Sequence, residues 1–273
     1  MLVATFFDSK LEAEIINNGF VVIPGFIPQS EINCLLGLFN SHYNGKSVGF
    51  WNSISDLPMD LGLGISEKIK AITNPHFDKL LKDWEFPIAQ FIVKNPNKDS
   101  ASTLHRDFSI YDEDKIQYRQ VWVPLVDLNA DNGALYVVPK SHKLFTNSRP
   151  MFAKWPYEHL IPYLEKEFHL IYAKAGDLIL YLEKTLHGSF ANISSYPRPA
   201  FTGGIIHKKA NILYAKYIEE RGEVESYEVD SAFYYGKEFQ NPIVDKKYPL
   251  IKTEKYKVKE ITSLDLDKFF HAH

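Results

Sequence analysis

AGDLILYLEKTLHGS, residues 175–189, reads as a turn, a strand and a histidine in quick succession. Gly176-Asp177 is turn chemistry. Asp177–Leu182 is a short apolar run of strand length, and it leads to Leu186-His187-Gly188-Ser189. Outward from this stretch the same pattern recurs. Phe86–Lys94, Gln120–Leu128, Ala134–Val138, Phe168–Tyr172, Ala200–His207 and Ile212–Tyr217 are short apolar or alternating runs. Asn95-Pro96-Asn97 and Asp131-Asn132-Gly133 punctuate them. Many short strands at this spacing predict an all-β sandwich or barrel. Tyr157–Glu167 interrupts them as a helical insert. The tail after Val224, rich in Tyr, Lys and Glu, is expected to pack around the barrel as irregular strands and loops.

The first third has helical periodicity instead. Asp8 or Ser9 can cap a helix over Lys10–Asn18. Gly19–Phe26, GFVVIPGF, reads as a short strand closed by Pro24 and Gly25. Ile32, Leu35, Leu36 and Phe39 fall on one helical face. Two further short helices are expected over Ser66–Thr73 and His76–Trp84. No repeat, low-complexity linker or domain boundary is evident, so residues 1–273 are read as one domain.

Composition narrows the function. A net charge of −3 over 273 residues gives no general attraction to nucleic acid or anionic lipid. The single cysteine, Cys34, excludes an intrachain disulfide and a cysteine-based metal cluster, and it suits a reducing cytoplasm. Beside Leu35 and Leu36 it is expected to be a buried small apolar residue. The N-terminus lacks the basic start and long apolar run of a secretory signal, and no run of about 18 apolar residues suggests a membrane span. The expected partner is a small molecule.

Leu104-His105-Arg106-Asp107 carries the chemistry. On an extended chain, side chains two apart point the same way, so His105 and Asp107 can reach one metal. His187 is the best third ligand. Two imidazoles and a carboxylate on one face leave three octahedral positions, the facial triad suited to iron(II) and oxygen. A bidentate 2-oxo acid can take two of them and O₂ the third. By itself His-x-Asp is weak evidence; its context carries the reading. Arg198, eleven residues after His187, begins a strand. An antiparallel return from the His187 strand would bring its guanidinium into the same pocket, where the fork suits the distal carboxylate of 2-oxoglutarate. Ser189 can donate a second hydrogen bond there. His142 is read as structural, bonded within its own loop.

At these residues the chain resembles the phytanoyl-CoA dioxygenase family. The resemblance runs from Gly19 to about Ile218, through GFVVIPGF, LHRDFSIYDED, DNGALYVVPKSH, AGDLILY, LHGSFANIS and Arg198. It implies a mainly β, double-stranded β-helix (a cupin-like jelly roll) with an N-terminal helical layer. It also implies oxidative decarboxylation of 2-oxoglutarate coupled to substrate hydroxylation. On this resemblance His105, Asp107 and His187 take the iron(II)-ligand places, and Arg198 and Ser189 bind the 2-oxoglutarate carboxylate. By similarity to ectoine hydroxylases, Gln90 borders the co-substrate, and Tyr111 takes the place of a pocket aromatic. Pro139-Lys140 stands where the family often has proline-glycine.

The substrate is less legible. A CoA ester needs a basic docking surface for its phosphates. The dense basic run near the barrel, His207-Lys208-Lys209, reads as a solvated strand end. Arg106 and Arg119 can contact an anion or pair with Asp112, Glu113 or Asp114. A small polar metabolite, an amino acid or natural-product intermediate, is therefore expected. Two rivals remain: a cupin-like metal enzyme that uses no 2-oxo acid, which has no need of Arg198, and a non-catalytic binding protein, which is free to lose a ligand. Iron halogenases replace the carboxylate with a small residue to admit halide, so Asp107 favours hydroxylation.

Overall fold

The computed structural model describes residues 6–271, apart from 46, 114–117, 237 and 242–243. Asp114 therefore lies outside the described residues. The chain begins with α1 (Ser9–Asn18), β1 (Phe20–Ile23), α2 (Gln29–His42), β2 (Phe50–Asn52) and α3 (Met59–Leu80). Then follow β3 (Trp84–Lys94), β4 (Ser102–His105), β5 (Arg119–Pro124), β6 (Leu135–Val137), α4 (Ser141–Leu144), α5 (Ile161–Leu164), β7 (His169–Leu170), β8 (Leu178–Leu182), β9 (His187–Ser189) and β10 (Arg198–His207). The last part holds β11 (Leu213–Ile218), β12 (Glu223–Glu228), α6 (Ser231–Tyr235), β13 (Leu250–Lys255) and α7 (Ser263–His271).

Among the described residues these strands form three antiparallel sheets. One has the order β1-β8-β5-β10-β3-β2, a second β4-β9-β6-β7 and a third β11-β12-β13. Period-2 alternation divides the six-stranded sheet cleanly. Phe91, Val93, Val121, Val123, Leu178, Leu180 and Phe201 face α1–α3 and share a core with Ile15, Ile32, Phe39, Ile69 and Phe77. Ile92, Trp122, Ile179, Tyr181 and Ala200 point the other way and pack on Leu135 and Val137 of the four-stranded sheet. The site lies in this interior between the two sheets.

The N-terminal helical layer is present, and the architecture is a mixed α/β one: the two facing sheets share an interior but do not hydrogen-bond into one closed barrel among the described residues. Asp8 caps α1 through a bond from the Lys10 amide, and Gly19 ends it at φ 87°, a left-handed turn suited to glycine. The two helices expected between residues 66 and 84 are one helix, α3, with Pro75 inside it, and Trp84 opens β3 instead. An interior proline costs about 3 kcal/mol. The burial of Ile65, Ile69 and Phe77 against the sheet offsets it. Cys34 is exposed rather than buried. Helical geometry turns it away from the stripe of Ile32, Leu35 and Phe39. The tail is more regular than expected: β12 pairs antiparallel with β11 and with β13, the latter pairing shifting register between Ser226 and Tyr227, and α7 docks Leu266 near Leu160 and Leu164. No helix among the described residues is long and apolar enough to cross a membrane.

Candidate metal centre and co-substrate pocket

His105 ends β4 directly opposite His187 at the start of β9. The two rings sit with centroids 4.4 Å apart. His105 Nδ1 lies 2.7 Å from the Thr103 carbonyl, and His187 Nδ1 lies 3.0 Å from that of Thr185. A carbonyl can only accept, so each Nδ1 carries a proton and Nε2 is left as the ligand atom of each ring. Burial, then the neighbouring His187, holds the His105 pKa below its usual value and keeps the ring neutral. Asp107 follows two residues on, with Oδ1 3.7 Å from His187 Nε2. Its Oδ2 is buried and has no hydrogen-bond partner. One ligand atom from each of the three residues falls within 4.8 Å of the others. Two imidazoles and an unpartnered carboxylate oxygen are the donor set that iron(II) fits. Tyr181 borders it, its hydroxyl 3.3 Å from His187 Nε2.

A strap holds the ligand loop. The Ser109 amide donates to the Arg149 carbonyl at 2.9 Å, and the Arg149 amide donates to Ser109 Oγ at 2.8 Å. The Arg149 guanidinium donates to the Arg106 carbonyl and lies 4.3 Å from the centre of the Phe108 ring. Arg106 itself donates to the Asn147 carbonyl and to Glu113 Oε1. Arg106 is therefore paired with Glu113, while Arg119 pairs with Glu12 at 2.7 Å. Neither is a free docking cation. Gly188, between His187 and Ser189, lies so close to Tyr136 and the Ser102 carbonyl that a Cβ there has no room.

Arg198 reaches the interior by a different route from the expected one. β10 does not pair with β9; it crosses to the six-stranded sheet, between β3 and β5. The guanidinium is buried, 4.9 Å from the centre of the Trp122 ring. Its Nε and Nη1 have no partner. Burial lowers its pKa to about 10. A buried cation with open donors is a cradle for an anion, since leaving it bare is unfavourable.

Lys94 was not read from the sequence as a site residue. It stands opposite Arg198 in the β3–β10 register. Its Nζ donates to Ser189 Oγ at 2.5 Å and to the carbonyls of Phe190 and Ser189 at 2.6 and 3.2 Å. Burial, with Arg198 beside it, lowers its pKa to about 7. The signal was present: a lysine at the end of an otherwise alternating apolar run, on the same face as Gln90 and Ile92. So Arg198, Ser189 and Lys94 come together from two sheets.

Gln90 faces the same interior and lines a cleft with Asp107. Tyr111 is buried against Tyr118, ring centroids 4.9 Å apart, and its hydroxyl lacks a partner. It lines a neighbouring cavity of about 440 Å³ rather than the Gln90 cleft. His142 is not in the triad's ligand group; its Nε2 lies 3.0 Å from the Ile16 carbonyl of α1, so its hydrogen bond is to a distant element rather than within its own loop as expected.

Two histidines and one carboxylate set between packed sheets, with an open buried arginine beyond them, define the non-haem iron(II)- and 2-oxoglutarate-dependent class. The chain belongs to the phytanoyl-CoA dioxygenase family, whose model matches residues 64–200, half of the chain. Iron(II), 2-oxoglutarate and O₂ are the cofactor set of that site. Phytanoyl-CoA dioxygenase 1 of Oryza sativa subsp. japonica is 29% identical over 121 residues, 43% of either chain. Phytanoyl-CoA dioxygenase of Arabidopsis thaliana is 31% identical over 119 residues, 42% of this chain and 41% of its own. The chain thus matches less than half the length of these relatives. In fold it is similar to the carbocyclase SnoK of nogalamycin biosynthesis, with TM-score 0.58, 15% identity and coverage of 76% of this chain and 86% of that one. The epimerase SnoN, solved with Fe³⁺, alpha ketoglutarate and nogalamycin RO, gives TM-score 0.55, 19% identity and coverage of 75% and 85%. HygX of Streptomyces hygroscopicus gives 0.53 and 16%, covering 74% and 87%.

Proposed function

We propose that the protein is a 2-oxoglutarate-dependent dioxygenase that hydroxylates a small polar metabolite or natural-product intermediate. The observation that carries this reading is the pairing of a complete triad with the buried, partly unpartnered Arg198. A metal enzyme that uses no 2-oxo acid has no reason to bury an open guanidinium. In this reading the two facing sheets are the halves of a double-stranded β-helix. His105, Asp107 and His187 hold the metal. Arg198 clamps the distal carboxylate of the co-substrate, and Lys94 and Ser189 supply further donors beside it. Iron with its co-substrate supplies the oxidising chemistry: O₂ converts 2-oxoglutarate to succinate and CO₂, and its second oxygen atom goes to the substrate. The backbone carbonyls of Thr103 and Thr185 fix the imidazole tautomers. The retained Asp107 leaves no place for a halide ligand, which favours hydroxylation over halogenation.

The test is succinate release across metabolite pools, run with ¹⁸O-labelled O₂ and excess chloride. The wild-type protein should release succinate and give a product one labelled oxygen heavier. Alanine at His105, Asp107 or His187 should abolish both while circular dichroism shows the fold intact. A chlorinated main product, or an unlabelled cyclised or epimerised one, would replace hydroxylation by another outcome. Turnover that is independent of 2-oxoglutarate would sink the co-substrate reading.

A further inference from the structure

Beside Asp107 opens a cleft of about 260 Å³. Three carboxamides line it: Gln90 and Gln120 from the interior face of the large sheet, and Asn52 from the end of β2. Much of the remaining lining is apolar, including Ile88, Phe108, Met151 and Phe239. Among the described lining residues Asp107 is the sole charged side chain, and it belongs to the metal triad with His105 and His187.

The carboxamides are not equivalent. Gln120 is locked: its Oε1 accepts from the Tyr118 hydroxyl, and its Nε2 donates to Thr202 Oγ1 at 2.9 Å. Thr202 in turn donates to the Val121 carbonyl at 2.7 Å. Asn52 is also engaged, its Oδ1 accepting from the amides of Ile54 and Ser55. Gln90 stands opposite Thr202 in register, half-buried, and its side chain makes no hydrogen bond with the described residues. Tyr118 closes the cleft over Gly204, where any side chain would strike its ring. Of the three carboxamides, Gln90 is therefore the one whose donor and acceptor are both uncommitted among the described residues.

We infer that the cleft takes an electrically neutral substrate whose amide- or hydroxyl-type group seats on Gln90, and that it rejects carboxylates and ammonium groups. Away from the metal ligands, the described lining residues would offer a carboxylate N–H donors but no side-chain cation, and an ammonium no carboxylate outside the triad; either would be desolvated without a side-chain counter-charge. A primary amide, a lactam or a vicinal hydroxyl can both donate and accept, as Gln90 does. The inference rests on the proposed function for its premise that this cleft is the substrate site. It turns the expected small polar metabolite away from free amino acids.

The experiment uses protein loaded with zinc, a diamagnetic stand-in for iron, and with 2-oxoglutarate. Saturation-transfer NMR compares ε-caprolactam and 2-piperidone with their ring-opened forms, 6-aminohexanoate and 5-aminopentanoate, and with hexanoate and hexylamine. The lactams should bind, and every charged probe should bind at least about tenfold more weakly. Gln90→Leu should weaken the lactams about three- to tenfold, the worth of a hydrogen bond or two. Gln90→Glu should shift preference toward hexylamine. Charged probes that bind as tightly as the lactams, no binding by any probe, or lactam binding indifferent to Gln90→Leu would each overturn the inference. A parallel titration with 2-oxoglutarate separates the two readings: its failure removes the proposed function, while a lactam preference measured alongside stands by itself.

Discussion

On the helix side of the six-stranded sheet, Phe91, Val121, Leu180 and Phe201 are fully buried among apolar neighbours. One residue along the same strands, on the other side, stand Gln90, Gln120, Tyr181 and Thr202, with Lys94 and Arg198 at one end. The strands, twist and register are shared; only parity differs. The outer face is satisfied by packing alone. The inner face buries a guanidinium with two unpartnered nitrogens and a lysine whose pKa falls to about 7. The difference shows stability and function assigned to alternate residues of one backbone, with the functional face left energetically incomplete until it binds an anion.

That division breaks most visibly in a pair of substitutions. Phe91→Ala on the outer face should lower stability by about 3–5 kcal/mol in urea unfolding, because it opens a cavity beside Phe39. Arg198→Met on the inner face should leave the ligand-free protein as stable as wild type or more so, since it removes an unpaired buried charge. A clear loss of stability in Arg198→Met would erase the contrast between the faces.

The same Arg198→Met variant should lose about 2–5 kcal/mol of 2-oxoglutarate binding, measured by anaerobic titration of the iron(II) protein. Arg198→Lys should recover only part of it, because an ammonium cannot form the bidentate fork. Equal affinity in all three proteins would move the co-substrate carboxylate elsewhere.

Lys94 sharpens the comparison through pH. Its folded pKa, about 7, lies below the usual lysine value of 10.5. Between those values the unfolded chain holds the extra proton, so this residue makes the ligand-free protein more stable as pH rises from about 7 towards 10. Binding of an anion should run the other way, with 2-oxoglutarate affinity falling above pH 7 by at most about tenfold per unit. Lys94→Met should flatten both trends. Unaltered pH profiles in that variant would show that Lys94 stays charged throughout.

Much of this was legible from residue order. Short range determines the turn at Gly176, the alternation along Phe86–Lys94 and the His-x-Asp pair, because a two-residue spacing on an extended chain fixes a shared side without any knowledge of the fold. The arginine eleven residues past His187 was legible as a functional residue, though not its route. Three readings failed for a common reason. The burial of Cys34, the break in α3 near Pro75 and the path of β10 each depend on which surface is covered, and local propensity carries no information about that. Sheet membership decided the rest. β9 and β10 are neighbours in sequence, yet they lie in facing sheets, and this separation lets Ser189 and Lys94 meet across the interior with Arg198 beside them. Lys94 looks in sequence like the polar end of a strand. Only burial between two sheets, far from water and beside a second cation, makes it a lysine that titrates near neutrality.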